Sequence, residues 1–152
     1  MEKELSGSLL DMCKSIIDKD LPLISNLSNL ASLIYSKIQN TSWCGFYLSY
    51  ADKDELYLGP FQGDVACTLI PFGKGVCGTA ALTKQTQIVE NVHLCKNHIA
   101  CSSKTNSEIV VPIIKNNRVI GVIDLDSEQI GNYSLKDKEL LEQVAELIKD
   151  LF

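Results

Sequence analysis

Two apolar runs, 108–115 and 118–126, meet at Asn116-Asn117. A two-residue joint of this kind is a hairpin signal, because asparagine tolerates the backbone angles of a tight turn. The pair commits the second half of the chain to an antiparallel sheet. Pro112 lies inside the first run, and a residue with no N–H to give the ladder points to an edge position or a bulge. Strict alternation along the second run places Ile120, Val122, Asp124 and Asp126 on one face.

The rest of the chain arranges itself around that hairpin. Residues 4–19 carry a helical stripe of Leu5, Leu9, Leu10, Met12, Cys13, Ile16 and Ile17. A second stripe runs from Leu21 to Ile38, with Pro22 suited to a first helical turn and Asn40 to an end. Residues 43–50 and 55–61 are aromatic and strand-like around a turn at 52–54, and 65–70 is a third short strand. A glycine-containing loop, 71–75, leads to a short helix from Gly75. Residues 91–106 form a long polar loop, of a length usually functional or disordered. Ser134 is a good N-cap for a closing helix to residue 152. This order predicts an α+β domain spanning 1–152, with one antiparallel sheet and helices on one face.

Charge and composition narrow the function. The chain has 152 residues, 45% of them hydrophobic, and a net charge of −5. An acidic chain without clustered Lys or Arg is a poor match to nucleic acid. No leader is visible, and no apolar run approaches the roughly 18 residues of a membrane span, so a cytoplasmic location without a membrane partner is expected. Six cysteines, at positions 13, 44, 67, 77, 95 and 101, then point to metal binding or thiol chemistry rather than to a disulfide framework.

Three groups of residues could carry that chemistry. Asp124 and Asp126 either mark a strand emerging into solvent or floor a pocket, where they would receive a ligand ammonium or give a proton. Glu108, at the start of the neighbouring strand, could reach them across the hairpin. Three such carboxylates could also hold a metal, although the spacing of a calcium loop is lacking. His93-x-Cys95-x-x-His98-x-x-Cys101 has zinc-like spacing but lacks a second cysteine pair. The redox alternative places one accessible thiol in this loop and a second cysteine brought near by folding. Trp43 and Tyr47, four apart on one strand, are either core or an apolar wall for a small ligand group such as a thioether methyl.

Several stretches in order resemble the free methionine-(R)-sulfoxide reductases, which are single GAF domains. They are Leu58-Gly59-Pro60-Phe61-Gln62-Gly63 followed by Cys67, then Pro71-Phe72-Gly73-Lys74-Gly75-Val76-Cys77-Gly78-Thr79-Ala80, then His98-Ile99-Ala100-Cys101, and Ser107-Glu108-Ile109-Val110-Val111-Pro112. The resemblance implies a GAF-like sheet, with terminal helices on one face and a loop-covered pocket on the other. It implies reduction of free L-methionine (R)-S-oxide, with Cys101 as the attacking thiol, Cys67 as the resolving one, and Cys77 as a third that can join exchange. Trp43 and Tyr47 match the wall around the substrate methyl group, and Glu108, Asp124 and Asp126 the acidic groups that hold the substrate. Glu108 or Asp126 is then the acid at the sulfoxide oxygen, with Asp124 left for the ammonium. No bound cofactor or metal is implied, and the reducing equivalents would come from NADPH through thioredoxin. Amphipathic terminal helices could pair two chains into a homodimer. A different reading of the same fold is a non-catalytic sensor of a small molecule, redox state or metal.

Overall fold

The computed structural model describes the backbone of residues 2–50, 53–95 and 102–152, and side chains from Ser8 onward within them. Helices α1 (Glu2–Ile16) and α2 (Leu23–Lys37) come first, followed by strands β1 (Thr41–Ser49), β2 (Glu55–Gln62) and β3 (Leu69–Pro71). Helix α3 (Gly75–Thr83), strand β4 (Gln87–Val89), a single 3-10 turn at Val92–Leu94, strands β5 (Ser107–Lys115) and β6 (Arg118–Ser127), and helix α4 (Leu135–Ile148) complete the order. The six strands form one antiparallel sheet in the order β3-β2-β1-β6-β5-β4. The expected α+β architecture is therefore present.

Alternation divides the sheet into two faces. On one side Cys44, Phe46, Ile109, Val111, Ile123 and Leu125 pack against Leu27, Leu30 and Ile34 of α2 and Leu141, Val144 and Ile148 of α4. On the other, Trp43, Tyr47, Val110 and Val122 meet Val76, Cys77, Ala80 and Ala81 of α3. The N- and C-terminal helices share the first face, and α3 covers part of the second.

Local chemistry explains most boundaries. Asn116 and Asn117 both have positive φ, 52° and 61°, as a type I′ hairpin turn requires. The Ser134 side chain accepts from the Asp137 amide while Asp137 reaches back, a capping box that starts α4. Pro22 is the residue immediately before α2 rather than inside its first turn.

Three readings need correction and one is met. The third strand is only Leu69–Pro71; residues 65–68 form a loop that gives β2 a single backbone bond, from the Leu58 amide to the Thr68 carbonyl. The strand Gln87–Val89 was not foreseen, since three residues are too short to show a period. Pro112 meets its expectation: β4 pairs only with Glu108, Ile109 and Val110, so Pro112 lies past its end with that side of β5 unpaired, beside a bulge at Ile113/Ile114. That bulge sets Ile113 opposite Gly121 and Ile114 opposite Val119. Ile120 is the extra residue, and it packs on the helix face while Val119 takes its place beside Val122.

Candidate active site

The strand register assembles the acidic group. β6 lies between β1 and β5, with Glu108 opposite Asp126 and Val110 opposite Asp124. On the other flank Trp43 is opposite Asp126 and Gly45 opposite Asp124. Asp124 is 5% exposed and Glu108 6%, so the strand does not emerge into solvent here; it floors a pocket. The cavity measures about 160 Å³ and is lined by Trp43, Tyr47, Cys77, Glu108, Asp124 and Asp126 among others. It is small beside the roughly 300–1,000 Å³ that suit drug-sized ligands, and fits something nearer a single amino acid.

Burial and mutual repulsion keep protons in this group. Burial pushes the Glu108 carboxyl well above its usual range, followed by the charges of Asp124 and Asp126. Asp126 is raised by burial first and Asp124 second. The Cys77 thiol is raised by burial, then by Asp124, Glu108 and Asp126. Hydrogen bonds with Asp124 raise all three of these groups, while the one from Glu108 lowers Asp126. Asp124 is thus the common acceptor of these bonds, and Glu108 is a proton holder. Asp126 Oδ1, buried in the same cavity, has no hydrogen-bond partner and suits a ligand donor.

This arrangement has a stability consequence. Above about pH 4 the unfolded chain loses carboxyl protons that the folded chain retains. Folded Asp126 then binds more protons than unfolded Asp126, so stability falls as pH rises through its raised value. Asp126→Asn should flatten this slope. In thermal melts its Tm relative to the parent should increase from pH 4 to pH 8; a constant difference would contradict the shift.

The same trio can be read as a metal set. Cys77 Sγ, a Glu108 oxygen and an Asp124 oxygen lie within 4.8 Å of one another. A divalent cation there would have to displace the protons they now share. The zinc-like loop motif is only partly described. His93 Nε2 shares a 2.8 Å hydrogen bond with Asn106 Oδ1, and Cys95 is a half-buried free thiol. His98 and Cys101 lie outside the described residues.

The thiols separate by setting. Cys67 is disulfide-bonded, while Cys13, Cys44, Cys77 and Cys95 are free. Cys13 and Cys44 are buried in the helix-side core, where burial pushes Cys13 up to about 11 and also raises Cys44. Thiols held protonated in this way are inert packing groups.

Trp43 and Tyr47 form the wall, with ring centroids 6.0 Å apart, and Phe61 stacks on the Trp43 indole at 5.3 Å. Both also have a role that residue type did not reveal. Trp43 Nε1 donates to the Asp64 carbonyl at 3.0 Å, and Tyr47 Oη donates to the Cys67 carbonyl at 2.9 Å. Their acceptors are backbone atoms about twenty residues away, which no side-chain pattern can announce. Lys74, Lys104 and the start of α3 at Gly75 and Val76 also line the cavity and were not foreseen. The α3 N-terminus has no side-chain cap, so its amides offer positive potential.

Two glycines make room for the indole. A Cβ on Gly45 would stand 2.6 Å from the Trp43 ring and 2.4 Å from Phe61 Cβ. One on Gly63, where φ is +126°, would stand 2.6 Å from Trp43 Cδ1. Gly63→Ala should therefore cost about 1–3 kcal/mol in chemical denaturation and displace the wall. An unchanged midpoint would contradict this packing.

Known proteins share this architecture. A family model described as the GAF domain matches residues 25–151. The chain is 47% identical over 153 residues to the free methionine-R-sulfoxide reductase of Saccharomyces cerevisiae, covering 97% of this chain and 85% of that one. It is 46% identical over 129 residues to the Escherichia coli protein of the same name, covering 84% and 77%. The solved free methionine-R-sulfoxide reductase of Neisseria meningitidis, in complex with its substrate, superposes with a TM-score of 0.88 at 38% identity, covering 99% of this chain and 87% of that one. With nearly half its residues shared over almost its whole length, the chain belongs to the free methionine-R-sulfoxide reductase family of GAF domains.

Proposed function

We propose that this chain reduces free L-methionine (R)-S-oxide to L-methionine by thiol chemistry. The observation that carries the reading is the Glu108–Asp124–Asp126 group, its first two carboxyls buried and the third half-buried, flooring an amino-acid-sized cavity. An anionic Asp124 faces the substrate ammonium, and Lys74, Lys104 and the α3 amides meet its carboxylate. Trp43 and Tyr47 hold the methyl group. The Cys101 thiolate attacks the sulfoxide sulfur while Glu108 protonates the oxygen. Methionine leaves and Cys101 becomes a sulfenic acid. Cys67 then attacks that sulfur, the S–O bond breaks, and water leaves as the disulfide forms. That Cys67 is disulfide-bonded supports its role as the resolving thiol. Cys77 is the slowest to join exchange, because its thiol is held protonated.

Thioredoxin, supplied by NADPH, reopens the disulfide by exchange, and no bound cofactor is required. Among the described residues no helix is long and apolar enough to cross a membrane, and a cytoplasmic site of action, where thioredoxin keeps thiols reduced, completes the reading. Two chains would pair through their terminal helices.

The test is NADPH consumption with thioredoxin, thioredoxin reductase and racemic free methionine sulfoxide. Consumption should stop near half conversion, when the R epimer is exhausted. A sensor without turnover would consume nothing. Peptide-bound methionine sulfoxide lacks the ammonium that Asp124 pairs with and the room to enter, so an oxidised protein should not be turned over. Sustained consumption with such a protein would overturn the free-amino-acid specificity.

A further inference from the structure

We propose that Tyr47, beyond walling the methyl pocket, positions Cys67 for disulfide formation through its phenol; this rests on the thiol-reductase reading above. Tyr47 is 2% exposed, and its ring is fixed against Trp43. Its hydroxyl donates to the Cys67 carbonyl at 2.9 Å. The segment it holds lies between the end of β2 at Gln62 and the start of β3 at Leu69, outside either strand. Val65 within it is 89% exposed, while Ala66 and Cys67 are only partly buried against the pocket-side core and Cys67 is in a disulfide. Polar contacts fix its backbone: Trp43 Nε1 to the Asp64 carbonyl at 3.0 Å, Tyr47 to Cys67, and the Leu58 amide to the Thr68 carbonyl at 3.0 Å.

The loop bearing the resolving cysteine thus hangs on two aromatic side chains of β1, whose ring faces also form the pocket wall. An excursion of Cys67 breaks this bond, and a buried phenol that loses its acceptor raises the cost of the excursion. Burial also pushes the Tyr47 hydroxyl above its usual range, which keeps it a donor. In the step concerned the Cys67 sulfur attacks the Cys101 sulfenic sulfur. An S–S bond forms, the S–O bond breaks, and the oxygen departs with a proton as water. The Tyr47 hydroxyl holds the backbone from which the Cys67 sulfur reaches, and is a positioning residue for this step.

Tyr47→Phe removes the donor and keeps the ring. Reduced parent and variant are mixed with free methionine (R)-sulfoxide and quenched at short times. Methionine released reports attack by Cys101, and thiol loss reports closure by Cys67. Because Tyr47 also walls the methyl pocket, the readout is the ratio of the two steps: closure relative to release should fall roughly 2- to 10-fold below the parent's, the equivalent of one neutral hydrogen bond. Sulfenic acid trapped by dimedone should persist correspondingly longer. Equal slowing of both steps, or unchanged closure, overturns the tether and leaves only the wall. Absence of methionine from the parent itself would instead overturn the reductase reading. Trp43→Phe, which removes the tether at Asp64, keeps the test open if Tyr47→Phe does not fold. It should slow closure relative to release in the same sense and by less, and an unchanged ratio would count against the tether.

Discussion

Cys101→Ser is expected to lower turnover by at least about 10³-fold, the scale on which enzymes lose rate when their nucleophile is removed. A hydroxyl in its place has neither the acidity nor the nucleophilicity to attack a sulfoxide sulfur at neutral pH. The loss should appear in the first turnover, with no methionine released on mixing. Cys67→Ser is expected to behave differently. Its first turnover should proceed and leave a sulfenic acid at Cys101, after which thioredoxin-driven turnover stops. The two variants therefore share a steady-state phenotype and separate in a rapid-quench burst. Cys77→Ser should affect neither step comparably, because its thiol is held protonated among carboxylates. A full burst from Cys101→Ser would remove Cys101 as the attacking group.

Glu108→Gln is expected to lower the rate of methionine release by about 10²–10⁴-fold, the usual range for a positioned general acid. The argument is local. Glu108 is held well above the ordinary carboxylate range by burial, then by Asp124 and Asp126, and so retains a proton where an exposed glutamate would have lost it. Glutamine keeps the size and a polar end but has no proton to transfer. The sign of the pH dependence follows. The acid must be protonated, so the parent burst rate should fall as pH rises through the raised Glu108 value. In Glu108→Gln that alkaline fall should disappear. Asp124→Asn should instead act mainly on KM, since it removes the anion facing the substrate ammonium. A Glu108→Gln burst rate equal to the parent's would exclude Glu108 as the proton donor.

Much of this site was legible because strands impose simple geometry. Asp124 and Asp126 share a face at i and i+2, and an Asn116-Asn117 turn of two residues brings Glu108 opposite Asp126. Burial was harder to read. The same pattern suits a strand leaving the core, and only the covering loop and α3 decide otherwise. Ile120 shows the limit of alternation, since a single bulged residue moves it to the other face. The apolar composition of 65–68 suits a strand, but these residues form a loop. Its backbone is bonded by the Trp43 and Tyr47 side chains, at Asp64 and Cys67, in place of a strand ladder. Lys74 and Lys104 carried no signal because lone lysines on loops are ordinary surface residues until folding brings them to a cavity.

The most direct test mixes fully reduced protein with each resolved epimer of free methionine sulfoxide, without any reductant, and counts products. The R epimer should yield one methionine per chain and a disulfide joining Cys67 to Cys101 by peptide mapping, and the S epimer should yield neither. Absence of methionine from the R epimer, or methionine release with both of those thiols still reduced, would contradict thiol-based reduction in this pocket.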